Sequence, residues 1–199
     1  MLESLNQYLF HLINAQDTAH SSLFFMAYAL AEYAIFAVPV VLLAGWLWSG
    51  KLTRLAMLQA TASALLALLM AQGVGWIWPH PRPFMMGVGH TLIAHVADPS
   101  LPSDHLTLIW SVAFSLLLHR QTRRAGAALA LLGLPVAWSR IWLGVHFPLD
   151  MVGAAAVSVL SVWACGRWSQ RLVQFSYCLT LPWYQRVFAP LIRRGWVFP

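Results

Sequence analysis

Charge is what this sequence has least of. Asp, Glu, Lys and Arg together make up 9% of its 199 residues, against about 25% in a soluble domain. No polar stretch is long enough to build a soluble domain, which excludes a cytosolic enzyme with a membrane anchor. Cysteine is scarce too. Cys165 and Cys178 show no metal-ligand spacing, so free thiols are expected. Leu2 to Asn14 lacks a basic front and a long apolar core, which argues against a cleaved signal peptide. Internal repeats and low-complexity tracts are absent as well. What remains is apolar: 60% of the residues are hydrophobic and the mean hydropathy is +0.67. The composition predicts one all-α, polytopic membrane domain over residues 1–199.

The apolar runs predict about five spans. Glu3 to Asn14 carries Leu5, Leu9, Leu12 and Ile13 at helical spacing but is too short to cross, so it is expected to lie in the interface. Ser22–Trp48 is the first span, with Glu32 inside it and an expected kink at Pro39. Leu55–Trp78, Ser103–Leu118, Ala125–Gly144 and Leu149–Gly166 follow, the third of the five being the shortest. Ser49 to Arg54 and His119 to Arg124 read as polar turns, and Pro79 to Leu101 as a loop rich in Pro, Gly and His. From Arg167 on, aromatic and basic residues mix around Pro182, which predicts an interfacial tail over 167–199 rather than a sixth span.

The formal charge of +6 invites a nucleic-acid reading, but its distribution argues against one. Put the N-terminus outside. Lys51, Arg54, Arg120, Arg123, Arg124, Arg167, Arg171, Arg186, Arg193 and Arg194 then all face the cytoplasm, ten of the twelve basic residues. That is the positive-inside bias. It predicts N-out and C-in, with anionic lipid as the partner of the cytoplasmic face and no role for nucleic acid. The two basic residues left over, Arg82 and Arg140, fall at the outer face beside Glu3, Asp17, Asp98, Asp104 and Asp150.

Three short runs converge there. Ser139-Arg140-Ile-Trp-Leu-Gly-Val-His146-Phe-Pro148-Leu-Asp150 places three ionisable groups between two apolar segments, and such groups near a membrane boundary mark function. Pro148 suits the first helical position. Phe147 is then the cap, and Asp150 can reach back from the third position toward His146. A histidine oriented by a carboxylate has a more basic second nitrogen. Trp78-Pro-His80-Pro-Arg82-Pro-Phe84 offers a planar guanidinium on a stiff loop. Leu101-Pro102-Ser103-Asp104-His105 opens a helix at Ser103, where free N–H groups and the dipole favour an anion. Two arginines, a helix N-terminus and two histidines fit phosphoryl transfer, with one histidine attacking and another protonating the leaving oxygen. His90 and His95 are poorly spaced for joint ligation, and no metal or other cofactor is expected.

Arg82-Pro83, Pro102-Ser103-x-His105 and Ser139-Arg140-x5-His146-x3-Asp150 resemble the three signature motifs of the type-2 phosphatidic acid phosphatase superfamily, which also holds the vanadium haloperoxidases. The resemblance runs from Trp78 to Asp150. It implies that His146 is the nucleophile, oriented by Asp150, that His105 is the acid and then the base, and that Arg82, Ser103 and Arg140 hold the phosphate. There are departures. A lysine normally stands seven residues before the first-motif arginine, and here that position is Gly75. His80 is a candidate to stand in for part of it at the phosphate, the alternative being that the two arginines suffice. Asp104 replaces a usual glycine, either as part of the cap or as a partner that keeps His105 protonated for a diphosphate. Glu32 is expected to border the path by which the lipid reaches the site, or to be a hydrogen-bonded carboxyl at a helix interface.

Pro-Ser-Asp-His and His-Pro-Arg-Pro-Phe resemble in particular the bacterial undecaprenyl-diphosphate phosphatase branch. The resemblance therefore implies hydrolysis of undecaprenyl diphosphate at the outer face of the inner membrane. Rival substrates are phosphatidylglycerol phosphate, phosphatidic acid and lipid A. Rival classes are a lipid phosphotransferase and a bundle that binds lipid phosphates without turnover. A haloperoxidase is disfavoured, because the chain is membrane-embedded. Oligomeric state is not legible in the sequence.

Overall fold

Small residues recur at three- and four-residue intervals in the second apolar run: Ala56, Ala60, Ala64, Ala67, Ala71 and Gly75. All are buried along one face of a single helix. Small side chains let helix backbones approach closely where lipid supplies no hydrophobic drive. In the computed structural model, which describes residues 1–16 and 22–199, that helix is α4 (Lys51–Ile77). Asp17, assigned to the outer face above, lies outside the described residues.

All regular structure among the described residues is helical. Before α4 come α1 (Leu2–Ile13), α2 (Ser22–Tyr33), a 3₁₀ turn over Ala34–Phe36 and α3 (Ala37–Leu47). After it come a 3₁₀ turn over Pro83–Met86, α5 (Asp104–Leu117), α6 (Arg123–Trp142), α7 (Pro148–Trp168), α8 (Gln170–Val187) and α9 (Ala189–Arg193). Among the described residues four helical stretches are long and apolar enough to cross a membrane: Ser22–Leu47, α4, α6 and α7. The third of the five predicted spans, α5, is shorter and falls outside that set.

α5 is the hub, packing against α4, α6 and α7. Leu106, Ile109, Val112, Ala113 and Leu116 are fully buried in it, as are Thr107, Ser111 and Ser115. A rise of about 1.5 Å per residue makes it roughly 21 Å long, short of the ~30 Å of hydrocarbon. Irregular backbone at membrane depth is tolerated only inside protein. Ser100, Pro102 and Ser103 are accordingly buried.

Two boundaries differ from the sequence reading. The polar turn expected over Ser49–Arg54 is helical from Lys51. Arg54 is 1% exposed, so it is withdrawn from the cytoplasmic lipid-facing set. Its guanidinium donates to the carbonyls of Trp46, Phe198 and Pro199 and lies over the Tyr184 ring, which anchors the last residues to α4. The break expected at Pro39 falls one turn earlier, at Ala34–Phe36. A proline clashes with the carbonyl four residues back, here Ile35. The tail is helical as α8, which packs on α4 and α7. Both cysteines are free, Cys165 buried and Cys178 exposed.

Candidate active site

Gly144 turns the chain between α6 and α7. Its φ of +83° is open to glycine, and a Cβ there would stand 2.1 Å from the His90 carbonyl oxygen. The turn carries His146 inward, 1% exposed, between two bundle helices. Pro148 starts α7 and Phe147 caps it, as predicted. The Asp150 carboxylate accepts the Phe147 N–H at 2.7 Å and the Ser100 hydroxyl, and it stands 3.1 Å from His146 Nδ1. A carboxylate so placed holds the imidazole proton on Nδ1 and leaves Nε2 as the basic nitrogen.

Arg82 comes from the stiff loop after α4. Its Nη1 lies 2.9 Å from His146 Nε2 and 3.5 Å from Nδ1. An atom on the in-plane lone pair of one ring nitrogen would stand much farther from the other. Nη1 therefore lies over the ring face, off the in-plane direction of the Nε2 lone pair. The arginine is held by the Val145 carbonyl at 2.9 Å and by Asp98, whose Oδ1 is 2.8 Å from Nε. Burial first, then the Arg82 and Arg140 charges, hold His146 well below the ordinary imidazole range. The ring is neutral at neutral pH, as a nucleophile must be.

Arg140, in the last turn of α6, reaches toward the same point. It lies 3.4 Å from Glu32 Oε1 and from the Ala31 carbonyl, and its Nη2 is 3.0 Å from His95 Nε2. Its Nε is buried and has no partner among the described residues. Ser103 precedes α5, where it was expected to cap, but its hydroxyl makes no cap bond and is likewise buried and unpartnered. The first-turn N–H groups of α5 add donors that an α-helix leaves unused. A buried unpaired donor is costly, and a phosphate would satisfy several at once. His105, the second residue of α5, interacts electrostatically with Arg140, His146, His95 and Arg82.

The remaining predicted residues lie at the margins. His80 turns its Nε2 to Glu3 of α1 at 3.1 Å and its ring to Phe147. Asp104 accepts from Gln72 at 3.3 Å and lines a small cavity of about 80 Å³ with Gly75, Asp98 and Pro99. It points toward α4. Glu32, expected at the lipid path or at a helix interface, pairs with Arg140. Three participants were missed. Asp98 was read only as an outer-face charge, His95 was weighed only as a metal ligand, and Ser100 was not singled out. All three lie in the one loop whose composition alone gave no conformation.

Residues 56–174 match the PAP2 superfamily. The chain belongs to that superfamily. The match contains Arg82, Ser103, His105, Arg140, His146 and Asp150. A protein of Escherichia coli K12 provisionally named undecaprenyl-diphosphatase YbjG is 35% identical over 99% of both chains. Undecaprenyl-diphosphatase BcrC of Bacillus subtilis is 33% identical over 86% of this chain and 88% of its own. The crystal structure of Aquifex aeolicus LpxE shares the fold, with a TM-score of 0.63 at 23% identity, covering 82% of this chain and 96% of that one. The similarity to the E. coli relative extends beyond the PAP2 region to α1 and the tail.

Proposed function

We propose that this PAP2 chain removes the terminal phosphate of undecaprenyl diphosphate through a phosphohistidine on His146, at the outer face of the cytoplasmic membrane. That it is a lipid phosphatase rests on the superfamily and on relatives named undecaprenyl-diphosphatase over most of the chain. One observation carries the covalent route. A neutral, carboxylate-oriented histidine, whose Nε2 lone pair Arg82 does not meet in the ring plane, stands with two donors unpartnered among the described residues, Arg140 Nε and Ser103 Oγ. In the first step Nε2 attacks the terminal phosphorus in line, and the P–O bond to undecaprenyl phosphate breaks. Arg82, Arg140, Ser103 and the α5 N–H groups take the charge on the non-bridging oxygens. His105 gives its proton to the leaving oxygen. In the second step His105 takes a proton from water, the hydroxide oxygen attacks phosphorus, and the P–N bond breaks. Inorganic phosphate leaves and both histidines return to their starting states.

The outer-face assignment rests on the basic residues, which gather at the end of the bundle opposite the site. There Gln121, in the α5–α6 turn, donates to the Leu52 carbonyl at the start of α4. The test is phosphate release from a panel of purified lipid phosphates, with and without chelator. Undecaprenyl diphosphate should be the preferred substrate and chelator should have no effect. Preference for phosphatidylglycerol phosphate, phosphatidic acid or lipid A would replace the substrate. A phosphorylated lipid acceptor in place of free phosphate would make the chain a transferase, and binding without release would remove the phosphatase reading.

A further inference from the structure

Gly75 occupies the position where the family motif has a lysine. A Cβ at Gly75 would meet the Cβ of Pro99 at 3.3 Å, so the following loop occupies the space a longer side chain would need. The sequence has one lysine, Lys51, and it lies at the other end of α4 over the Tyr177 ring. At about 1.5 Å per residue that is roughly 36 Å away. The loop that displaces the lysine brings its own groups. Ser100 bonds Asp150, Asp98 bonds Arg82, and His95 faces Arg140.

The charges around the cradle nearly cancel. Arg82 is paired with Asp98, and Arg140 with Glu32. A diphosphate carries more negative charge than a monoester and calls for a further cation. His95 stands where one is needed. Its Nε2 is 3.0 Å from Arg140 Nη2, its ring centroid is 6.2 Å from that of His146, and its side chain is 19% exposed, at the mouth of a site whose nucleophile is buried. Since arginine only donates, Nε2 accepts, and Nδ1–H donates to the Val96 carbonyl at 3.1 Å.

We propose that His95 is a specificity-determining residue for diphosphates, holding the phosphate that leaves with the lipid in place of the absent lysine. This rests on the function proposed above. In the free protein, burial first, then the Arg82 and Arg140 charges, keep the imidazole neutral, while the Val96 carbonyl and Asp98 act against them. The other groups facing it are His146 and, from α5, His105. A phosphate that draws Arg140 off Nε2 removes the opposing cation and leaves that nitrogen facing an anion. The ring then takes a proton from solvent and donates Nε2–H to the phosphate.

The test compares wild type with His95→Gln and His95→Lys on undecaprenyl diphosphate and phosphatidic acid. His95→Gln should lower the ratio of kcat/KM for diphosphate over monoester by about ten-fold or more, the size of one charge-assisted hydrogen bond. His95→Lys should recover part of that ratio. Calorimetry with methylenediphosphonate, in buffers of different ionisation heat, should show proton uptake on binding by wild type that His95→Gln lacks. An equal loss on both substrates, or unchanged proton uptake in His95→Gln, overturns the proposal. The function fails separately, if wild type itself releases no phosphate from undecaprenyl diphosphate. The methylenediphosphonate measurement reads His95 in either case.

Discussion

At His146 two neighbours divide the work: Asp150 orients the ring through Nδ1, and Arg82 lies across it and opposes its protonation. His146→Ala is therefore expected to abolish turnover while lipid-phosphate binding persists, and 32P trapping should find no acid-labile adduct. The imidazole must be neutral to attack. Its pKa is held well below the ordinary imidazole range, so the acidic limb of the kcat/KM profile lies below that range too. Arg82→Gln removes one cause of the lowering. It should cut kcat by about 10²-fold or more and move the residual acidic limb to higher pH; a limb that stays in place would detach Arg82 from the histidine. Asp104 was expected to act either as a cap or on His105. The carboxylate faces Gln72, so Asp104→Gly should leave the limb assigned to His105 where it is. Glu32 bonds Arg140 from a half-exposed position. Glu32→Gln should lower kcat/KM by several-fold, about the worth of an exposed charged hydrogen bond, with folded yield unchanged. Equal kinetics would make it a structural residue.

At the scale of elements, the site depends on a helix that the sequence placed in the interface. α1 buries Asn6, whose Oδ1 accepts the Leu149 N–H at 3.0 Å, so a side chain of α1 caps the start of α7. Asn14, just past α1, donates to the His90 and Trp142 carbonyls and accepts the His90 N–H, tying the His-rich loop to the end of α6. Phe10 packs edge-on against Phe147. Asn14→Ala removes three hydrogen bonds at once. A loss of about 1–3 kcal/mol in stability is expected, the cost of leaving such groups unpaired, together with faster amide exchange at His90 and Leu92. Exchange unchanged from wild type would deny α1 this role. Gly144→Ala attacks the same junction from the other side, through its positive φ and the His90 carbonyl. Activity should fall further than stability, because the turn aims His146.

For the whole molecule, one end of the bundle holds the phosphate chemistry and the other the basic residues. The nine basic residues exposed there, Arg54 being buried, argue that the site end is outside. An impermeant thiol reagent on intact spheroplasts should then miss Cys178 and label a cysteine placed at Gln16. Gly89, an obvious outer-loop choice from sequence, is unsuitable, since a Cβ there would press on Asn14 and Phe10 at 2.5 Å. Labelling of Cys178 without Gln16→Cys would turn the protein over. The apolar surface agrees with a lipid setting: Leu65, Leu69, Val152 and Val159 are exposed along α4 and α7, with Trp76 and Trp168 near their ends.

Much of this was legible without coordinates because it is local. Apolar run length determined the spans, since a helix must satisfy its own backbone in lipid. Pro148 and Asp150 determined the start of α7, and the order of the three motifs carried the family. The rest depended on which loops meet. Hydrophobic periodicity says nothing of irregular backbone, so the path of residues 87–103 was unreadable, and with it the placing of His95 on Arg140, Asp98 on Arg82 and Ser100 on Asp150. Only the packed structure could show that Arg54 is buried under the chain's last residues, or that the missing lysine at Gly75 is a space already filled by Pro99. Residues far apart in sequence are brought together by helix packing, and that packing decides which charge faces which.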